Sequence, residues 1–149
     1  SQLKEKQKLK FIYGVLEKQF RGYFKRAKAM PGVTGANLMQ ILESRLDNVV
    51  FRLGFAKTRK EARQIVTHGH IHVNGRRVDI PSFRVRPGDL VSVAPKAKEL
   101  LVIKALLFLG SSRLEVDIEK LQGSVLALPE RDQIDLDINE QLIVELYSK

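Results

Sequence analysis

The chain holds 149 residues, 44% of them hydrophobic, enough for one domain or two small ones around a modest core. Its 26 Lys+Arg against 17 Asp+Glu leave a net charge of +9, and with no Cys it has neither a disulfide framework nor a thiolate metal site. No apolar run approaches the roughly 18 residues of a membrane span and the charged start is not a signal peptide, so the chain is read as soluble and intracellular. The charge is uneven: residues 1–98 carry 21 basic against 7 acidic side chains, a balance of +14, and residues 99–149 carry 5 against 10, a balance of −5. Such a split points to a polyanionic partner for the first two thirds.

In chain order, residues 1–30 interleave Lys4, Lys6, Lys8, Lys10, Lys18, Arg21, Lys25, Arg26 and Lys28 with Leu9, Ile12, Tyr13, Leu16, Phe20, Tyr23 and Phe24. The apolar members recur at three and four, which predicts helix, with Gly14 and Gly22 weakening it. Most of the rings are read as core and the lysines as a solvated face. The stretch from Met30 to Gly35 is rich in turn formers and reads as a connector. From Leu38 to Leu53 a second amphipathic helix is predicted: Leu38, Leu42, Leu46, Val49, Val50 and Leu53 share an arc, and Arg45, Asn48 and Arg52 form a polar stripe at i, i+3, i+7.

Thr58 with Glu61 three residues on is a capping box, so a helix is predicted to start there, and Gly69 is where a left-handed residue ends it. At about 100° per residue, Arg59, Lys60, Arg63, Gln64 and Thr67 fall in one arc and Ala62, Ile65 and Val66 in another. One face packs and the other is basic. After Gly69 the period changes to two, with Ile71 and Val73 on one side and His70, His72 and Asn74 on the other. Asn74-Gly75 signals a hairpin whose return strand opens with Arg76 and Arg77. Val78, Ile80, Phe83 and Val85 continue in extended spacing, Pro87-Gly88-Asp89 turns, and Leu90 to Val93 is a further strand. Glu99 to Leu109 is a helix candidate, Arg113 to Ile118 alternates like a strand, and Asn139 can cap a last helix with Leu142, Ile143, Leu146 and Tyr147.

Two constellations resemble catalytic or metal chemistry and are set aside. His68, His70 and His72 alternate, but His68 belongs to a helix end across Gly69, and no Cys or acidic cluster completes a tetrahedral shell. Solvent exposure, or hydrogen bonding to phosphate and sugar, is the expected role. Arg45-Leu46-Asp47 is similar to the signature of certain pseudouridine synthases, yet Asp47 is predicted about 150° or more around the helix from Arg45, as a surface or ion-pair residue. With no activated nucleophile and no phosphate loop after a strand, the chain is read as a non-enzyme. No cofactor, metal or small-molecule substrate is expected.

The stretch Glu43-Ser-Arg-Leu-Asp-Asn-Val-Val-Phe-Arg-Leu-Gly54, followed by Ala62-Arg-Gln64, His68-Gly-His70, Val73-Asn-Gly75 and Ile80-Pro-Ser-Phe83, resembles the small-subunit ribosomal protein S-four family of bacterial type. Tyr13-Gly-Val15 with Gln19-Phe-Arg21, and Leu128-Pro-Glu-Arg131 with Ile138-Asn-Glu140 and the end from Leu142 to Lys149, extend the resemblance to almost the whole chain. Only about Ala105 to Val125 matches loosely. The resemblance implies an α+β fold: a helical domain of 1–43 together with 124–149, and an inserted RNA-binding domain of 44–123 whose helices pack on a small antiparallel sheet, with the helix-helix-hairpin motif at 45–93. It implies a primary binder of small-subunit ribosomal RNA at a 5′-domain helix junction, nucleating assembly and supporting decoding accuracy. Protein S-five as a neighbour, messenger RNA and, in some bacterial members, repression of the protein's own operon belong to the same expectation, as does a cytoplasmic, ribosomal location. Family members usually carry a further N-terminal extension, sometimes with zinc-binding cysteines, that these 149 residues do not include.

The expected mechanism is electrostatic and geometric: a rigid basic face meets the paired phosphates of folded RNA and releases counterions. Arg45, Arg52, Arg59, Lys60, Arg63, Arg76 and Arg77 are assigned to phosphate; Asn48, Gln64, His68, His70 and Asn74 to sugar or base edges; Arg21, Lys25 and Arg26 to an adjacent RNA helix. The alternatives are a stand-alone RNA-binding stress factor and the binding appendage of an RNA-modifying enzyme.

Overall fold

The structure, a computed structural model, describes the backbone of residues 2–95, 114–117, 122–125 and 140–147, and side chains within 2–95 and 143–146. The fold is α+β and divides into two compact units, Ser1–Glu43 with Pro129–Lys149, and Ser44–Leu128.

The first unit is helical. Helices α1 (Gln2–Tyr13) and α2 (Glu17–Ala29) are separated at Gly14, and α2 sends Phe20, Phe24 and Ala27 into the core at i, i+4, i+7. Helix α3 begins at Thr34. The connector is therefore shorter than its turn-rich sequence predicts, because Thr34 and Gly35 join the first turn of α3. Asn37 explains how so short a link holds: its Nδ2 donates to the carbonyls of Ala27 and Pro31, both at 3.1 Å, tying α3 to the end of α2. The core gathers Leu9, Tyr13, Phe20, Phe24, Leu38, Met39 and Leu42, and Ile143 of the last helix, α6 (Glu140–Tyr147), joins them with no exposed surface. The buried Tyr13 hydroxyl donates to Glu43 at 2.6 Å, so neither polar group is left unsatisfied there.

In the second unit α4 (Leu46–Arg52) and α5 (Arg59–Thr67) pack on an antiparallel sheet of order β2-β1-β3-β5-β4. Its strands are β1 (Ile71–Val73), β2 (Arg76–Arg77), β3 (Leu90–Val93), β4 (Leu114–Asp117) and β5 (Gln122–Val125). The expected division at 123/124 falls inside β5, which pairs with both β3 and β4. Leu46, Val50, Phe55, Ala62, Val66, Ile71, Val85 and Val91 form the core between helices and sheet.

The helix predicted from Leu38 to Leu53 is two helices. Its backbone opens at Ser44 and Arg45, where it pairs with a segment far downstream: Val85 N–H donates to Ser44 O and Leu46 N–H to Phe83 O, each at 2.8 Å. Arg45 also bridges to Arg84 in an antiparallel pair. Those bonds compete with the helical ladder and win, and no local periodicity reveals them. Along that downstream stretch Val85 is buried whereas Ile80 is 56% exposed, so its extended spacing does not mark one packed face. The helix candidate at 99–109 and the cap at Asn139 lie outside the described residues.

Candidate nucleic-acid interface

Helix α5 is fixed at both ends. Thr58 Oγ1 accepts the Glu61 amide at 3.0 Å, and Gly69, at φ +79°, takes the left-handed conformation that leads from the helix into β1. Ala62, Ile65 and Val66 are buried, which turns Lys60, Arg63, Gln64 and Thr67 outward to solvent, with Arg59 half-buried at the margin. In β1, Ile71 and Val73 point into the core while His72 stays half-exposed. The turn residues Asn74 (φ +52°) and Gly75 (φ +81°) both adopt the left-handed backbone that a two-residue hairpin demands, and set His72 opposite Arg77 and Val73 opposite Arg76. Arg76 and Arg77 are exposed. Lys60 and Arg63 on α5 and Arg76 and Arg77 on the hairpin are thus all exposed, Arg76 on the Val73 side of the ribbon and Arg77 on the His72 side, with His68 exposed and His70 half-exposed.

Two residues assigned to this surface lie beneath it. Arg45 is 3% exposed and fully engaged: Nε and Nη2 donate to the two carboxylate oxygens of Asp47 at 3.1 and 3.0 Å. The expectation that Asp47 sits on the far side of a helix from Arg45 is overturned by the same chain break, because Arg45 is extended and precedes the first turn of α4. Asp47 also accepts the Asn48 amide at 2.7 Å, so this carboxylate is a buried structural anchor. Asn48, 1% exposed, accepts Arg59 Nε at 2.8 Å. Its side chain orients an arginine at the margin of the face and is itself out of reach of solvent.

Asn74 is exposed but occupied. Its Oδ1 accepts the Leu90 amide at 2.9 Å and its Nδ2 donates to Asp89 at 3.0 Å, lacing the hairpin to the Pro87-Gly88 turn, so its clearest role is to hold register. Phe51 is the residue that sequence reasoning missed. The Arg59 guanidinium lies 4.5 Å from its ring centroid and that of Arg52 5.9 Å, so one half-buried ring steadies two cations. Nothing in spacing joins Phe51 to Arg59, since a turn separates them. Exposed Lys57 and Arg86 add further positive charge to this unit.

In the helical unit, Arg21, Lys25 and Arg26 are exposed on α2. Arg21 lies 3.7 Å from Glu17 one turn earlier, and Arg26 stacks 5.5 Å from the Tyr23 ring. The rings of His68 and His70 meet edge to face at 6.1 Å, and among the described residues no three His, Cys, Asp or Glu side chains group as metal ligands would.

Residues 1–43 match the ribosomal protein S4/S9 N-terminal domain and residues 44–91 the S4 domain. The small ribosomal subunit protein uS4 of Thermodesulfovibrio yellowstonii is 54% identical across 99% of this chain and 74% of its own length. The chain belongs to the uS4 family of small ribosomal subunit proteins. The uS4 protein of Agathobacter rectalis is 58% identical over 99% of the chain and 78% of its own length, and that of Thermoanaerobacter sp. strain X514 is 56% identical over 99% and 73%. The family is structural and non-enzymatic, and its S4 domain is an RNA-binding domain. The relatives are named as proteins of the small ribosomal subunit. Among the described residues no helix is long and apolar enough to cross a membrane.

Proposed function

We propose that this chain is a primary binder of small-subunit ribosomal RNA, seated at a helix junction of the 5′ domain. The observation that carries the reading is the exposed set Lys60, Arg63, Arg76 and Arg77, mounted on a helix and a hairpin whose ends are both pinned. Preformed cations match the fixed phosphate spacing of folded RNA without a large ordering cost, and each phosphate neutralised releases counterions. Gln64, His68 and His70 add hydrogen bonds to sugar or base edges, while Arg45 and Asn48 act from below by holding α4 and Arg59. Arg21, Lys25 and Arg26 give the helical unit its own grip on an adjacent RNA helix.

The division of labour follows: the helical domain built from both chain ends steadies the RNA seat, and the inserted domain reads the junction. Early binding of this kind nucleates small-subunit assembly. Its further consequences are contact with protein S-five, a position where messenger RNA enters, support of decoding accuracy and, when the protein is in excess, repression of its own messenger RNA.

Competition tests the reading. Binding to a 5′-domain transcript in excess transfer RNA should survive the competitor and be lost when the helix junction is disrupted. Equal affinity for every structured RNA would reduce the chain to a generic basic module and favour a stress-factor role.

A further inference from the structure

The Gly69 backbone lies directly against the Arg77 side chain. The hairpin register brings Arg77 beside β1, and its side chain runs back to the end of α5. A Cβ added at Gly69 would overlap the Arg77 guanidinium, 2.5 Å from Cζ and closer still to Nη2 and Nε, so the end of that side chain would have to move. The bare glycine backbone is thus the floor on which that planar group rests. The place is electrostatically apt, because the carbonyl end of a helix carries partial negative charge that favours a cation. Gly75, the other glycine of the hairpin region, has no atom within 4 Å of such a Cβ, so crowding is particular to Gly69.

We propose that Gly69 is a positioning residue of the RNA face. By lacking a side chain it lets the Arg77 guanidinium lie flat across the end of α5, where its fork is presented to a phosphodiester instead of sweeping through solvent. Arginine loses much rotamer freedom when it is held, and a residue held in advance loses less on binding. The motif therefore has a second requirement at this position, beyond the positive φ that any helix-to-strand turn of this shape demands. The proposal rests on the RNA reading above and deepens it to a pair of residues.

The test separates conformation from crowding. Asn tolerates the left-handed region but carries a Cβ, so Gly69→Asn displaces Arg77 with the least backbone strain. The full chain is compared as wild type, Gly69→Asn, Arg77→Ala and the double variant, using the 5′-domain transcript across a salt series and circular dichroism as the check on folding. Arg77→Ala should make the log affinity against log salt slope shallower by about 0.7 to 0.9, and Gly69→Asn should weaken binding by about three- to tenfold, on the scale of one displaced contact. In the Arg77→Ala background Gly69→Asn should add almost nothing. Equal loss from Gly69→Asn in both backgrounds would overturn the proposal, since the glycine would then act on the fold alone. Nuclear magnetic resonance of the Arg77 Nε–Hε group in the free protein supplies an arm independent of RNA: restricted motion in the wild type, released in Gly69→Asn, is the expected result, and unchanged motion would overturn it. Full RNA affinity in Arg77→Ala with release still seen by resonance would sink the RNA role of Arg77, and with it the purpose assigned to Gly69, while leaving the contact itself intact.

Discussion

Arg45 and Arg63 look alike in sequence, each a guanidinium on the polar stripe of a helix, and the structure gives them opposite work. Arg45 is buried with both ends of its fork on Asp47. Removing it strands a buried carboxylate, so Arg45→Ala is expected to cost about 3 to 5 kcal/mol, read as a lower urea midpoint, with little change in the salt slope of RNA binding. Arg63 is exposed. Arg63→Ala should leave stability within about 0.5 kcal/mol and make the salt slope shallower by about 0.7 to 0.9. The basic character of the site was legible because it lies in composition and helical spacing. What could not be read was depth: Arg45 is covered by the pairing of residues 44–46 with 83–85, a long-range contact that leaves no periodic trace. Phe51 was invisible for the same reason, since the ring meets Arg59 only after the chain has turned between α4 and α5.

At the scale of the element, local rules did most of the work. The cap at Thr58, the left-handed Gly69 and the Asn74-Gly75 turn each depend on residues within three positions of one another, and each is formed. Thr58→Ala should destabilise α5 by about 1 kcal/mol and show as faster amide exchange at Glu61. The failure was the merging of α3 and α4 into one helix. Both halves have good helical patterning, and the break at Ser44 comes from competing backbone partners, not from a glycine or a proline. The start of α3 was missed for a related reason. Thr34 and Gly35 are turn formers taken up into a first helical turn, with Asn37 bonding back to Ala27 and Pro31.

The whole molecule is divided by sequence twice over, in charge and in topology. Only the end of the acidic last third, from Pro129, belongs to the basic helical unit, where Ile143 sits fully buried with Leu9, Phe20 and Leu38. Ile143→Ala should therefore cost about 2 to 5 kcal/mol, read from chemical denaturation, although it lies far in sequence from the helices it supports. Charge asymmetry hinted at two environments but carried no information on which ends meet; the family resemblance supplied that expectation.

The central claim is that a prearranged cationic face on α5 and the hairpin makes the RNA contact, and the most direct measurement is the salt dependence of affinity for the 5′-domain transcript in the triple variant Lys60→Ala, Arg63→Ala, Arg76→Ala. Each of these side chains is exposed, so folding by circular dichroism should be unchanged. The slope of log affinity against log salt should become shallower by about 2 to 3 as three phosphate contacts are lost. A slope parallel to that of the wild type would contradict the account and move the RNA contact to another face.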